Sequence, residues 1–208
     1  MTQKPPPPDI VIGRLPIYLR ALDALRQENS EITSSYELGE RLGISSAQIR
    51  KDLSHFGDFG KQGTGYHIPY LIEQIQQILK LNHRWAVVIV GAGHVGLALA
   101  NYRDFNQYGF DIVGIFDTDP AKIGTEINGI AVQHESRMVD EVQRHKVRIA
   151  MIATPAAAAQ PSADKLVAAG VKAILSYAPI TLNLPPDVKV QYIDPVARLQ
   201  HMTYYIQE

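Results

Sequence analysis

Three glycines in the spacing Gly91-x-Gly93-x-x-Gly96, with Ala92, His94 and Val95 between them, are the residues of this chain best suited to hold a ligand, together with Asp117 twenty-one residues beyond the last glycine. Gly91 permits a tight turn, Gly93 lets the backbone come close to a diphosphate, and Gly96 lets a helix lie close on a strand. The amides that open this helix would face the diphosphate. A carboxylate at Asp117 would accept both hydroxyls of an adenosine ribose and repel a 2′-phosphate, and Thr118 rather than an arginine follows it. This favours NAD(H) over NADP(H). Thr154-Pro155 and Ser176-Tyr177-Ala178 close two further apolar runs. They suit the nicotinamide side of such a ligand, or they are plain turns.

The elements that must position these residues are legible on either side of them. An apolar, β-rich run at residues 86–90 stops at Gly91, and an alanine- and leucine-rich run follows at 97–102. That is the strand, turn and helix of a dinucleotide-binding βαβ unit, and a second apolar strand at 110–116 delivers Asp117. The alternation continues with a strand at 147–153, a helix at 161–170, and strands at 171–175 and 190–194. The four alanines 156–159 fit a helix start or a turn. Residues 82–193 therefore read as an α/β domain of the Rossmann type, doubly wound and mainly parallel.

Upstream, residues 1–9 include four consecutive prolines and nothing to bury, and read as a mobile arm. Over residues 14–28, Leu15, Tyr18, Leu19, Leu22 and Leu25 recur at helical spacing, with Pro16 placed as in a first turn. Ser34-Ser35-Tyr36-Glu37 and Ser45-Ser46-Ala47-Gln48 have capping-box spacing, and Gly43 ends the first of the two short helices they open. The result is a helix-turn-helix. The second helix, ending near Phe56, gathers Ile49, Leu53 and Phe56 on one face and Ala47, Lys51 and Ser54 on the other, with Arg50 and His55 flanking. With Ser46 at its start, this outer face suits base edges and phosphates in a major groove, although a solvated face of a helical bundle has the same pattern. The segment 59–68 carries Gly60, Gly63 and Gly65 and then alternates, as in a hairpin. Directly after such a helix it is a wing, with Lys61, Gly63, Thr64, Gly65 and Tyr66 offered to a minor groove or a phosphate backbone. A helix at 69–81 with Leu71, Ile72, Ile75, Ile78 and Leu79 inward closes a first domain over residues 1–81. A short polar joint leads into the Rossmann domain, too short for independent movement over long distances.

A last helix, from Pro195 to about Ile206, carries Val196, Leu199, Met202, Tyr204, Tyr205 and Ile206. It is too apolar for a solvated tail and must bury against its own domain or a partner subunit. The chain has 208 residues, 46% apolar and 20% charged, in the range of a globular protein of one large or two small domains. No apolar run is long enough to span a bilayer and no signal peptide opens the sequence, so no membrane is expected and the reading is cytoplasmic. The absence of cysteine excludes disulfides, thiolate catalysis and cysteine-based metal sites, and no metal is expected. A net charge of -1 gives no global attraction to nucleic acid, so DNA binding must come from a local patch.

A winged helix joined to such a Rossmann domain, with Ile49-Arg50-Lys51-Asp52-Leu53-Ser54-His55-Phe56-Gly57 and Gly63-Thr64-Gly65-Tyr66, closely resembles the Rex family of redox-sensing transcriptional repressors over residues 14–206. The resemblance implies a homodimer that binds double-stranded operator DNA, senses NADH and NAD, and is released from DNA by NADH. It implies that residues 194–208 form a C-terminal helix swapped between subunits. By matched position, Arg50 and Lys51 resemble the DNA-contacting pair, residues 63–66 the wing and Asp117 the ribose ligand. Arg20, Tyr102 and Asp194 resemble ligand-dependent switching contacts. The competing class is an NAD-dependent oxidoreductase, which needs a proton donor or acceptor near the nicotinamide. The sequence has no Tyr-x-x-x-Lys pair and little length for a substrate domain, leaving only His94, Tyr177 and Thr154 as candidates. No enzymatic activity is expected and no catalytic residue is assigned. A DNA-binding sensor of another nucleotide is the third reading.

Overall fold

In the computed structural model, which describes residues 6–61 and 64–206, the chain divides into two units, residues 1–83 and 84–208. Gly63 and the first five residues of the expected arm lie outside the described residues.

The first unit runs α1 (Asp9–Gln27), β1 (Ile32–Thr33), α2 (Ser35–Leu42), α3 (Ser46–Ser54), β2 (Gly60–Lys61), β3 (Gly65–His67) and α4 (Ile68–Ile78). Helix α1 starts at Asp9 rather than Arg14, because buried Val11 carries the apolar stripe one turn further toward the N-terminus. Pro16 consequently lies inside the helix and not in its first turn. Its ring faces solvent, where the carbonyl that loses an N–H donor can be hydrated. Both capping serines act as their spacing requires: Ser34 Oγ accepts from Glu37 N at 3.0 Å and Ser45 Oγ from Gln48 N at 3.2 Å. Between the two helices Gly43 takes a left-handed φ of 65°. Strands β1, β3 and β2 form a small antiparallel sheet, with β2 and β3 the two sides of the wing. Leu15, Tyr18, Leu22, Leu38, Ile49, Ile68, Leu71 and Ile75 meet in one core.

The second unit runs β4 (Trp85–Val90), α5 (His94–Ala100), α6 (Asp104–Gln107), β5 (Phe110–Asp117), β6 (Glu126–Ile127), β7 (Ile130–His134), a 3-10 turn (Glu135–Arg137), α7 (Met138–Arg144), β8 (Ile149–Ile152), α8 (Ala156–Ala168), β9 (Ala173–Ser176), β10 (Lys189–Tyr192) and α9 (Pro195–Thr203). Its sheet has the order β10-β9-β8-β4-β5-β7-β6, parallel except for β6 at the edge. This is the doubly wound arrangement. Alternate residues of β4 feed two cores: Val88 and Val90 pack with Met138, Val142, Ala163 and Leu166 on one face, and Val87 and Ile89 with Ala100 and Ile115 on the other. Helix α8 begins at Ala156, straight after Pro155, so the four alanines are its first turn and Pro161 lies inside it rather than at its start. Four consecutive alanines favour the helix strongly enough for it to start before the proline and run through it. The C-terminal helix α9 has no buried residue, and Leu199, Met202 and Tyr205 are 62%, 61% and 70% exposed. Among the described residues no helix is long and apolar enough to cross a membrane, and no group of three or more His, Cys, Asp or Glu is placed to hold a metal ion.

Candidate functional site

Strand β4 is hydrogen-bonded to β5 on one side and β8 on the other, and the chain leaves it in opposite directions. A crevice at the carboxyl ends of these strands is the consequence. The cleft found there has a volume of about 530 Å³ and is lined by Gly91, Gly93, His94, Val95, Asp117, Lys122, Glu135, Thr154, Pro155 and Tyr177, among others. Its size suits a nucleotide-sized ligand.

The three glycines differ in what they do. A Cβ on Gly91, whose φ is 98°, would lie 2.6 Å from the Ala153 carbonyl oxygen, and one on Gly96 would lie 1.8 Å from the Gly91 carbonyl oxygen. These two are required by the close fit of loop, helix and strand. A Cβ on Gly93 would meet nothing within 4 Å. Its bareness serves the space in the cleft rather than the packing of the protein, which is what a closely approaching diphosphate needs. Ala92 and Gly96 are buried behind the cleft and do not line it.

Asp117 ends β5 with its side chain 10% exposed. Its Oδ2 accepts from the Ala92 amide at 2.7 Å and from Lys122 Nζ at 3.1 Å, and its Oδ1 from the Asp119 amide at 2.9 Å. Burial pushes this carboxyl up, but the amides of Asp119 and Ala92 and the Lys122 ammonium outweigh that effect and hold it below the ordinary carboxylate range. It is therefore an anion aimed at the cleft. No local motif marks Lys122 or Glu135; the turn-forming Asp119-Pro120 is the available sign that the chain doubles back to the cleft after Asp117.

On the opposite wall, Thr154, Pro155 and Tyr177 line the cleft, whereas Ser176 and Ala178 are buried and do not. Among the described residues the buried hydroxyls Thr154 Oγ1 and Ser176 Oγ have no hydrogen-bond partner. A buried hydroxyl without a partner is costly, and Thr154 carries this one on the wall of the cleft. An apolar recess of about 600 Å³, lined by Val95, Ala98, Leu99, Tyr102 and Phe105, shares His94, Val95 and Tyr177 with the cleft. Burial raises the Tyr177 hydroxyl above its ordinary value, which keeps it neutral. Asp194, exposed, caps α9 by accepting from the Val196 and Ala197 amides at 2.9 and 3.1 Å.

The first unit carries the other candidate surface. Ala47, Arg50, Lys51 and Ser54 are exposed on α3, and Ser46 is half-buried. Arg50 Nη1 donates to Ser35 Oγ at 3.0 Å, which steadies the guanidinium over the N-terminal part of α2. Beneath this face lies Asp52, fully buried, accepting from Arg14, Tyr18 and Gln48. A carboxylate in a helix of charged residues ordinarily faces solvent, so nothing in the local pattern signals this arrangement. In the wing, Gly65 has φ 79° and a Cβ there would fall 2.4 Å from the Thr33 carbonyl oxygen, so the glycine lets β3 close on β1. Thr64 is exposed and Tyr66 half-buried. Arg20 is exposed on α1, and Tyr102, exposed in the second unit, packs edge-on against Phe105 with ring centroids 5.0 Å apart.

A helix-turn-helix with a wing, followed in one chain by a Rossmann unit with an open dinucleotide cleft, defines a DNA-binding regulator that answers to a nucleotide ligand. Comparison with known proteins agrees. A model of a CoA binding domain matches residues 82–180, and one of a DNA-binding protein N-terminus matches residues 8–54. The chain is 53% identical to the redox-sensing transcriptional repressor Rex of Roseiflexus sp. (strain RS-1), covering 96% of this chain and 91% of that protein. It is 39% identical to RSP, solved in complex with β-NAD+ and operator DNA, over 94% of this chain and 90% of that one, with a TM-score of 0.90. Against RSP in complex with β-NADH the identity is 36% over 95% of this chain and 93% of that one, with a TM-score of 0.87. The chain belongs to the Rex family of redox-sensing transcriptional repressors.

Proposed function

We propose that this protein is a transcriptional repressor that reads the ratio of NADH to NAD: a homodimer holds operator DNA, and NADH releases it. The observation that carries this reading is the presence in one chain of a cationic α3 face and an open cleft at Gly93, in a fold that matches along nearly its whole length a repressor solved with both a dinucleotide and operator DNA.

In this reading the loop from Gly91 to Gly96 holds the diphosphate, Asp117 takes the adenosine ribose, and Thr154, Pro155 and Tyr177 wall the nicotinamide, with the buried Ser176 and Ala178 fixing Tyr177 from behind rather than facing the ligand. Reduction removes the positive charge of the nicotinamide ring, so the apolar recess beside Tyr177 accepts the reduced ring and penalises the oxidised one through desolvation. Release requires that NADH bind the released form of the dimer more tightly than the DNA-bound form, since equal affinity shifts nothing. Ser46, Ala47, Arg50, Lys51 and Ser54 read the major groove, and Lys61, Gly63, Thr64, Gly65 and Tyr66 contact the minor groove or the backbone. The exposed apolar side of α9 belongs against a second subunit, exchanged between the two chains, with Arg20, Tyr102 and Asp194 as switching contacts. No catalytic residue is needed, and the protein works in the cytoplasm, where the operator and the cofactor pool are.

The test is binding of a labelled inverted-repeat operator at fixed salt with NADH and NAD+ titrated separately. Release by NADH at concentrations well below those of NAD+ is expected. Release by both at one concentration, or by neither, overturns the reading.

A further inference from the structure

Among the described residues that line the cleft, Lys122 is the only lysine or arginine, and it is already engaged. Its Nζ lies 3.1 Å from Asp117 Oδ2 and 3.6 Å from Asp119 Oδ2. Its backbone is fixed in a tight turn: Lys122 N donates to the Asp119 carbonyl at 3.0 Å, and the Lys122 carbonyl accepts from Thr125 N at 3.0 Å and Thr125 Oγ1 at 2.6 Å. The remaining carboxylate of the lining, Glu135, is held by Lys165 Nζ at 2.9 Å. The cleft lining therefore presents three carboxylates, while its one ammonium is paired with two of them.

We infer that Lys122 is a specificity-determining residue of this cleft, and that a 2′-phosphorylated dinucleotide is rejected because Asp117 and Asp119 mask the only cation that could receive the phosphate. This rests on the dinucleotide reading above. Asp117 then does two things. It accepts the ribose hydroxyls, and it occupies the ammonium that a phosphate dianion would need. In the unphosphorylated case Lys122 acts through Asp117, as a positioning residue that keeps the carboxylate ionised and turned toward the ribose.

The distinction between masking and plain repulsion is measurable. If repulsion alone excludes the phosphate, removing the Asp117 charge admits NADPH whether or not Lys122 is present. If masking matters, admission depends on Lys122. The experiment is direct binding, followed by nicotinamide fluorescence on the full-length protein, of NADH and NADPH to the unaltered chain, Asp117→Ser, Lys122→Ala and Asp117→Ser/Lys122→Ala. The unaltered chain is expected to bind NADH and to bind NADPH far more weakly. Asp117→Ser should tighten NADPH by about tenfold or more, the scale of one charge-assisted pair. The double variant should lose that gain while binding NADH as Asp117→Ser does. Lys122→Ala alone should weaken NADH a few-fold and leave NADPH excluded. The NADPH gain should fall with added salt in Asp117→Ser.

NADPH binding gained equally with and without Lys122, or not gained at all in a folded Asp117 variant, overturns the inference. A cooperative thermal transition at the melting temperature of the unaltered chain reports that each variant is folded, and Asp117→Asn, isosteric with the original, replaces the serine variant if that one fails to fold. Failure of the unaltered chain to bind NADH overturns the dinucleotide reading itself, a separate outcome.

Discussion

Arg14 and Asp52 form a two-pronged ion pair beneath α3: Arg14 Nε donates to Asp52 Oδ2 at 2.5 Å and Arg14 Nη2 to Oδ1 at 2.7 Å, with the carboxylate fully buried. Tyr18 OH and Gln48 Nε2 complete its acceptor sites at 2.5 and 2.7 Å. This joins α3 to α1 directly under the residues that face outward. Burial raises the Asp52 carboxyl, but the hydrogen bonds from Arg14, Tyr18 and Gln48 outweigh it and hold it below the ordinary range. A depressed carboxylate contributes stability that is complete above its unfolded value, near pH ~4, and is lost as pH falls through the folded value. Urea unfolding should therefore show the unaltered protein losing stability below about pH 4 more steeply than Asp52→Asn. At neutral pH Asp52→Ala, which strands the Arg14 guanidinium, should cost about 3 kcal/mol or more.

The glycines of the loop should separate by function. Gly93→Ala fits without a clash at a φ of -80°, so its melting temperature should match that of the unaltered chain while NADH binding falls by about tenfold or more. Gly96→Ala forces a Cβ against the Gly91 carbonyl and should lower the melting temperature sharply. Equal melting temperatures for the two would contradict the assignment of Gly93 to ligand space.

Thr154→Val removes a hydroxyl that has no partner within the described protein. Replacing an unsatisfied polar group with an apolar one of the same shape should leave stability unchanged or raise it slightly, while weakening NADH by several-fold. Thermal unfolding with and without NADH measures both.

On the DNA side, Arg50→Ala and Lys51→Ala should each weaken operator binding and leave NADH binding intact. A residue that touches phosphate should lower the slope of log affinity against log salt by about 1, and one that reads a base edge should relax sequence preference by about 1–3 kcal/mol. Titrating operator and scrambled duplexes at several salt concentrations assigns each residue to one role.

Leu199→Asp places a charge in the middle of the exposed apolar side of α9, where no packing of the single chain is disturbed. Sedimentation should show a dimer for the unaltered protein and a monomer for the variant, with secondary structure retained. A monomer in both cases would mean that another partner covers the helix.

Much of the cleft was legible because glycine spacing, strand and helix are all local. The capping serines and Gly43 likewise announced the helix-turn-helix. The hairpin of β6 and β7 was not placed in the sequence, although Ile127-Asn128-Gly129-Ile130 carries its mark: Asn128 and Gly129 have φ of 49° and 82°, as a two-residue hairpin turn requires. Two helix starts differ from the local pattern for a shared reason. Pro16 and Pro161 suit helix openings, yet each sits inside a helix whose packing or alanine content outweighs one lost hydrogen bond.

What the sequence determined by itself is therefore the set of short-range arrangements: the glycine loop between strand and helix, the carboxylate closing the next strand, the capped pair of helices, and a last helix too apolar to stand in water. Only the tertiary structure decided which glycine is left clear of packing in the cleft, that Lys122 returns to Asp117, and that Asp52 is buried on Arg14, Tyr18 and Gln48. The reason is physical. Local patterns are set by backbone conformation and by side-chain periodicity within a few residues, whereas the environment of a charge or of a missing Cβ depends on atoms that fold back from far along the chain.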